Sequence, residues 1–370
     1  MRKEMLKKSI GTIVMTIALV GTSIPGVTVS PVKVNADVAT TVSASSNEVG
    51  KLESIFTTID LMDASISELE TAMEKGELTA EQLVQMYIDR INAYDKSLDL
   101  NSIITINSKA LDEAKISIND LDLIIAATVS PDYIFPTLAC EVQAAVGAKN
   151  ATAFDLGAGC SGFLFALATA DAYFKTGRYK NALIIGAETL SKMMDWGDRS
   201  TCVLFGDGAG AAVVSAQGEQ LLSMVQGSDG SGGMALKCDN RPVNNLYHQM
   251  GAQQYSFTQM EGSAVYKFAV RTVPHAISEA LEKAGVPVDD VKLFVLHQAN
   301  LRIIESVAKR LRQPMEKFPT NLEECGNISA ASVPILLDKV RKDGMISKGD
   351  KIVMAGFGAG LTWGACVIEW

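Results

Sequence analysis

Leu111, Ala114, Ile116, Ile118, Asn119, Asp120, Leu121, Leu123, Ile124 and Ile125 return 170 residues later as Leu281, Ala284, Val286, Val288, Asp289, Asp290, Val291, Leu293, Phe294 and Val295. Two further blocks repeat in the same order: Leu183-Ile184-Ile185 with Ile352-Val353-Met354, and Gly210-Ala211-Ala212-Val213-Val214 with Gly364-Ala365-Cys366-Val367-Ile368. Three matched blocks in one order mark a duplicated αβ unit. Its apolar runs of four to six Val, Ile and Leu are too continuous for a strand with one wet face, and amphipathic helices separate them. The expectation is therefore a pair of mixed, mostly parallel sheets covered by helices. The halves fall at 116–218 and 219–370.

The composition supports a large buried core, with 370 residues, 48% hydrophobic and 20% charged. A formal net charge of -9 excludes a general nucleic-acid binder, since no overall positive field attracts phosphate. The six cysteines show neither CxxC nor any metal-ligand spacing, so they read as neither a disulfide framework nor a zinc site.

The chain ahead of the repeat is of other kinds. Arg2, Lys3, Lys7 and Lys8 precede the apolar run Ile10 to Val20, and Val34-Asn35-Ala36 supplies small residues, the order of a secretory leader over 1–36 that lies outside the fold. A linker follows at 37–57. Ser65 with Glu68 forms a capping box and Gly76 a stop, and Thr79 caps a second helix whose Leu83, Val84, Tyr87, Ile88 and Ile91 share one face. These helices and the run Asn101-Ser102-Ile103-Ile104-Thr105-Ile106-Asn107 resemble the opening segment of amidase-signature hydrolases, over about residues 58–114. The Gly/Ser-rich core that carries that family's catalytic serines does not follow, so the resemblance implies no amidase chemistry.

Chemistry concentrates at three points in the duplicated part. In Phe154-Asp155-Leu156-Gly157-Ala158-Gly159-Cys160-Ser161-Gly162 a strand ends in a small-residue turn and a helix begins near Cys160. A thiol at a helix N-terminus meets the positive end of the dipole, which favours thiolate; a small buried cysteine is the competing reading. The second point is Leu296-His297-Gln298-Ala299-Asn300, at the strand end where α/β sites gather; a hydrogen-bonded core histidine is the alternative. The third is Cys325-Gly326-Asn327-Ile328-Ser329-Ala330-Ala331-Ser332, where Asn327 alone would mean a helix cap.

Together these points resemble the β-ketoacyl-acyl-carrier-protein synthase III family of the thiolase-like fold, from about Ile116 to Trp370. Further motifs carry the resemblance: Pro131-Asp132-Tyr133-Ile134-Phe135-Pro136, Phe205-Gly206-Asp207-Gly208-Ala209-Gly210, His297-Gln298-Ala299-Asn300-Leu301-Arg302 and Gly356-Phe357-Gly358-Ala359-Gly360-Leu361-Thr362-Trp363-Gly364. The resemblance implies a catalytic triad of Cys160, His297 and Asn327, with Gly358, Ala359 and Gly360 as the oxyanion turn. It implies decarboxylative condensation of a short acyl-coenzyme A with malonyl-acyl-carrier protein, the step that initiates fatty-acid synthesis. No metal or redox cofactor is called for. Arg199 and Asn300 match positions near the coenzyme A arm. Phe135 matches the residue that a partner subunit lends to the acyl pocket, which implies a homodimer. Arg302, Lys309 and Arg310, spaced i, i+7 and i+8, would dock the acidic carrier protein; a solvated helix face is the alternative.

The sequence departs from that family at its start. Members begin with a strand, a helix and a strand, including a Trp and an Arg that clamp the adenine, where this chain has the leader and the amidase-like helices. The first copy is thus expected to be incomplete at its N-terminus, with an open sheet edge that the second copy covers with residues 220–284. An export leader also conflicts with an enzyme whose substrates are in the cytoplasm. A catalytically silent exported chimera and a non-catalytic amidase-fragment fusion stand as the alternative readings.

Overall fold

The computed structural model describes residues 11–15, 116–217, 220–240 and 256–370. The linker, the amidase-like segment and the rest of the leader lie outside the described residues.

The first half contains β1 (Gly11–Met15), β2 (Leu123–Ala127), α1 (Leu138–Val146), β3 (Thr152–Leu156), α2 (Gly162–Lys175), β4 (Asn181–Thr189) and β5 (Asp207–Ser215). The second contains β6 (Leu221–Ser228), β7 (Leu236–Lys237), β8 (Gln259–Met260), α3 (Gly262–Ala284), β9 (Val291–Leu296), α4 (Leu301–Leu311), α5 (Leu322–Cys325), α6 (Ser332–Lys342), β10 (Lys351–Gly358) and β11 (Thr362–Glu369). Local signals set the boundaries. Thr137 and the Asp155 carboxylate together satisfy free amides at the start of α1, and glycine in the left-handed region stops both α1 and α3.

One sheet has the order β1-β5-β4-β2-β3 and the other β6-β11-β10-β9; β7 and β8 form a separate ribbon. The duplication is visible in the pairing. β4 is antiparallel to β5 and parallel to β2, as β10 is antiparallel to β11 and parallel to β9. β6 lies antiparallel to β11 on its outer side, and β1 lies antiparallel to β5 in the same place, with Val14 opposite Val213 and Met15 opposite Ala212. The leader as a segment apart from the fold is therefore corrected at residues 11–15. The edge of β5 is paired, because an apolar run of high β-propensity meets an exposed row of backbone amides and carbonyls.

Helices α2 and α6 lie between the two sheets. Their Phe163, Leu164, Leu167, Val333, Leu336 and Leu337 share one core with Leu123, Ile125 and Ile184 of the first sheet and Leu293, Val295 and Met354 of the second. Each such side chain contributes about 1.5–3 kcal/mol by leaving water. On the outer faces α1 covers the first sheet, and α3 with α4 covers the second. Among the described residues no helix is long and apolar enough to cross a membrane.

The middle layer is tight where α6 begins. A Cβ on Gly186 of β4 would stand 2.3 Å from the Ala330 carbonyl oxygen. Gly186→Ala should therefore cost about 1–3 kcal/mol, read as a lower urea midpoint with an unchanged slope; an unchanged midpoint would show that the turn before α6 yields freely.

Candidate active site

Each central helix is entered through a short 3-10 turn, Gly159–Ser161 before α2 and Ser329–Ala331 before α6. The turns occupy equivalent places in the two halves, and they pack against each other. Cys160 is on the first and Asn327 just ahead of the second. The duplication thus brings the thiol of one half beside the amide of the other, although 167 residues separate them.

Cys160 is held by backbone more than by its side chain. A Cβ on Gly358, at the end of β10, would stand 2.4 Å from the Cys160 nitrogen, so the strand end and the turn meet as bare main chain. Ser161 and Thr362 lock the meeting point. Ser161 Oγ donates to the Ala158 carbonyl at 2.8 Å, and Thr362 Oγ1 lies 2.7 Å from Ser161 Oγ, 2.9 Å from the Ala158 oxygen and 3.0 Å from the Ala359 oxygen.

His297 follows β9, and its amide donates to the Ala355 carbonyl of β10 at 2.8 Å. Its ring stands edge-on to Phe357, with centroids 5.2 Å apart. The residue is buried, and burial drives the imidazole down to about 3, so it is neutral at any working pH. Nδ1 has no hydrogen-bond partner. Asn327 is fixed at both main-chain groups, its amide donating to Leu204 and its carbonyl accepting from Gly206, each at 2.9 Å. Its Oδ1 accepts from the Ser329 amide at 2.9 Å, which leaves the Nδ2 hydrogens as donors toward the cavity.

Cys160, His297 and Asn327 open on one cavity of about 310 Å³, which Phe357, Gly358 and Asn300 also line. Asn300 caps α4, accepting from the Arg302 amide at 2.9 Å. Other expected residues lie elsewhere. Ala359 and Gly360 are outside the cavity lining, as are Arg199, which is exposed next to the lining Ser200, and Phe135, 82% exposed. Arg302, Lys309 and Arg310 are all exposed on α4, whose opposite face buries Ile303, Ile304, Val307 and Ala308.

The expected easy ionisation of Cys160 is corrected. Burial raises the thiol to about 12, and the Glu188 charge adds to the rise, while the Ser329 side chain and the Cys160 amide oppose it. A helix terminus offers less than the loss of water takes away in an apolar turn. Ser161, Thr362, Ser329 and Glu188 were not singled out from the sequence. Ser161, Ser329 and Thr362 fall within the quoted motifs and Glu188 outside them, but nothing in the local sequence sets them apart, and only the packing of the two halves brings them near Cys160.

Family descriptions match two stretches: 3-oxoacyl-(acyl-carrier-protein) synthase III over residues 154–230, and its C-terminal part over 281–370. The chain is 49% identical over 261 residues to beta-ketoacyl-(acyl-carrier-protein) synthase III of Clostridium novyi, covering 70% of this chain and 81% of that protein. It is 44% identical to the Clostridium acetobutylicum protein of the same name, covering 76% and 86%. The crystal structure of 3-oxoacyl-(acyl-carrier-protein) synthase III from Aquifex aeolicus superposes with a TM-score of 0.66 at 44% identity, covering 72% of this chain and 82% of that one.

Burial of the neutral His297 ring makes the stability of the fold depend on pH. The unfolded chain binds a proton near pH 6.5 that the folded chain refuses until about pH 3, so His297 stabilises the neutral fold and that contribution is lost as pH falls below 6.5. The slope is at most about 1.4 kcal/mol per pH unit. Denaturant melts between pH 4 and 7 should therefore fall less steeply toward acid for His297→Gln than for the wild-type protein; parallel curves would contradict a buried neutral imidazole.

Proposed function

The chain belongs to the 3-oxoacyl-(acyl-carrier-protein) synthase III family, and we propose from that premise how its residues perform the initiating condensation of fatty-acid synthesis. It is an acyltransferase, taking a short acyl group from coenzyme A and joining it to malonyl-acyl-carrier protein with loss of carbon dioxide. The observation that supports the residue roles is the convergence of Cys160, His297 and Asn327 on one cavity from both halves of the duplication.

Cys160 Sγ attacks the thioester carbonyl and holds the acyl group, with the main-chain amides of Cys160 and Gly358 receiving the oxyanion. The malonyl thioester then enters with its carbonyl oxygen between His297 Nε2 and Asn327 Nδ2. As carbon dioxide leaves, negative charge gathers on that oxygen, and two neutral donors in a dry site stabilise it without any change of charge of their own. The resulting carbanion attacks the acyl-cysteine, and the thiolate departs. A neutral imidazole suits this step, because a hydrogen on Nε2 is available at every pH where the protein works. The group that holds the donor in line is the Ala355 carbonyl, through the His297 amide.

The wider surface supports partner readings of the same kind. Arg302, Lys309 and Arg310, exposed along α4, would present a basic face to the acidic carrier protein. Asn300 on the cavity wall and the exposed Arg199 beside the lining Ser200 are the residues we assign to the coenzyme A arm. Exposed Tyr133, Ile134 and Phe135 fit a homodimer in which one protomer lends Phe135 to its partner's acyl pocket. The reaction belongs in the cytoplasm, where coenzyme A and carrier protein occur. A cut near Asp37 would remove β1. The exported silent chimera and the amidase fragment have no comparable support.

Incubation with labelled acetyl-coenzyme A should label Cys160 and leave Cys140, Cys202 and Cys325 unlabelled. His297→Ala or Asn327→Ala should retain that transfer and lower malonyl decarboxylation by about 10²–10³-fold. Label on another cysteine, or loss of transfer without loss of decarboxylation, would overturn the assignment.

A further inference from the structure

The loop that carries Phe135 is held at each end by a carboxylate, one from each strand that flanks β2. Glu188, near the end of β4, is 4% exposed. Its Oε2 accepts from three consecutive residues as the chain leaves β2: Ser130 Oγ at 2.6 Å, the Val129 amide at 3.0 Å and Thr128 Oγ1 at 3.3 Å. The direction of these bonds is fixed. Ser130 Oγ accepts from the Thr189 amide at 2.7 Å and Thr128 Oγ1 from the Ser130 amide at 3.1 Å, so both hydroxyl hydrogens are left to point at Glu188. Lys192, just beyond β4, adds a second hold by donating to the Pro131 carbonyl at 2.9 Å and to Asp132 Oδ1 at 3.0 Å. At the far end Asp155 of β3 accepts from the Leu138 and Ala139 amides at 2.9 and 2.8 Å, where α1 begins.

Between these holds run Pro131 to Pro136, and their Tyr133, Ile134 and Phe135 are exposed, Phe135 the most at 82%. Three apolar side chains in water would gain by folding back onto the protein. A segment fixed at both ends and bounded by two prolines is denied that collapse. We propose that Glu188, through Thr128, Val129 and Ser130, sets the position of Phe135 and so the length of acyl primer that the enzyme accepts. The inference rests on the reading in which one protomer lends Phe135 to its partner's acyl pocket. Glu188 acts through the loop and is a positioning residue, with Lys192 assisting it at the surface.

A carboxylate is a costly choice for a buried position, because an apolar side chain of similar size gives up no hydration there. What it contributes is direction. An ionised carboxyl only accepts, its hydrogen bonds are stronger than those of a neutral carbonyl, and three of them on one oxygen leave the exit of β2 a single arrangement. Oε1 has no hydrogen-bond partner, so the hold is on Oε2 alone. A glutamine carbonyl in that place would be a weaker acceptor for the same three donors. Such preorganisation matters most for a side chain that must enter a pocket of another molecule, since ordering the loop on contact would weaken the contact.

Full-length wild-type protein and its Glu188→Gln, Ser130→Ala, Lys192→Gln and Phe135→Leu variants are compared by kcat/KM with acetyl- and hexanoyl-coenzyme A, and the ratio of the two values is read. A protein that is merely destabilised loses the same fraction of both activities, so the ratio does not respond to a folding defect. The coenzyme A arm is common to both primers and cancels as well. Phe135→Leu should move the ratio toward hexanoyl by about tenfold, and Glu188→Gln and Ser130→Ala should move it the same way by about threefold or more. Lys192→Gln alters a partly exposed pair and should move it less; it keeps the test open should the buried variants fail to fold. Wild-type ratios in every folded variant of Glu188, Ser130 and Lys192, beside a shifted ratio in Phe135→Leu, would overturn the positioning role and leave Phe135 in its pocket. A wild-type ratio in Phe135→Leu would overturn the reading on which the inference rests, whatever the other variants do.

Discussion

The site depends on one close approach: the turn holding Cys160 lies against the end of β10 at Gly358, with no room for a Cβ on that glycine. That contact joins the two halves of the duplication beside the cavity that Cys160, His297 and Asn327 line. It sets the thiol beside His297, since the carbonyl of Ala355 on the same strand anchors the His297 amide. The turns before α2 and α6 also pack against each other, and Asn327 lines the cavity from the opposite half. Ser161 and Thr362 then tie the contact in place by hydrogen bonds to the Ala158 and Ala359 carbonyls.

Burial is the other side of this arrangement. The burial that favours two neutral donors against an enolate also makes an anionic thiol costly. His297 gains from the situation, being neutral without any partner charge. Cys160 does not, because burial raises its thiol to about 12.

Much of this was legible in the sequence. The repeated blocks, from Leu121 against Val291 to Gly210 against Gly364, predict β2 with β9, β4 with β10 and β5 with β11, because buried strands are continuous apolar runs whose spacing survives duplication. The meeting of Cys160, His297 and Asn327 at one cavity was foreshadowed too, since each sits at the end of an apolar strand or ahead of a helix. Three features were not. The ionisation of Cys160 was misjudged because helix position is local while burial comes from the far half. Glu188 reads as one more charged residue at a strand end, and only its burial under the turn before α6 distinguishes it. Residues 11–15 read as a leader by charge and hydropathy, yet the same apolar run suits an edge strand, and pairing with β5 is a long-range fact that no local pattern contains.

The central claim is that the two halves act jointly on one acyl group, and its most direct measurement is a crystal structure of the protein trapped with acetyl-coenzyme A in the absence of carrier protein. The account predicts an acetyl group on Cys160 Sγ, its carbonyl oxygen within hydrogen-bond distance of the Cys160 and Gly358 amides, with His297 Nε2 and Asn327 Nδ2 facing the vacant space beside it. An acetyl group on any other residue, or one on Cys160 whose oxygen points to His297 and away from Gly358, would contradict it.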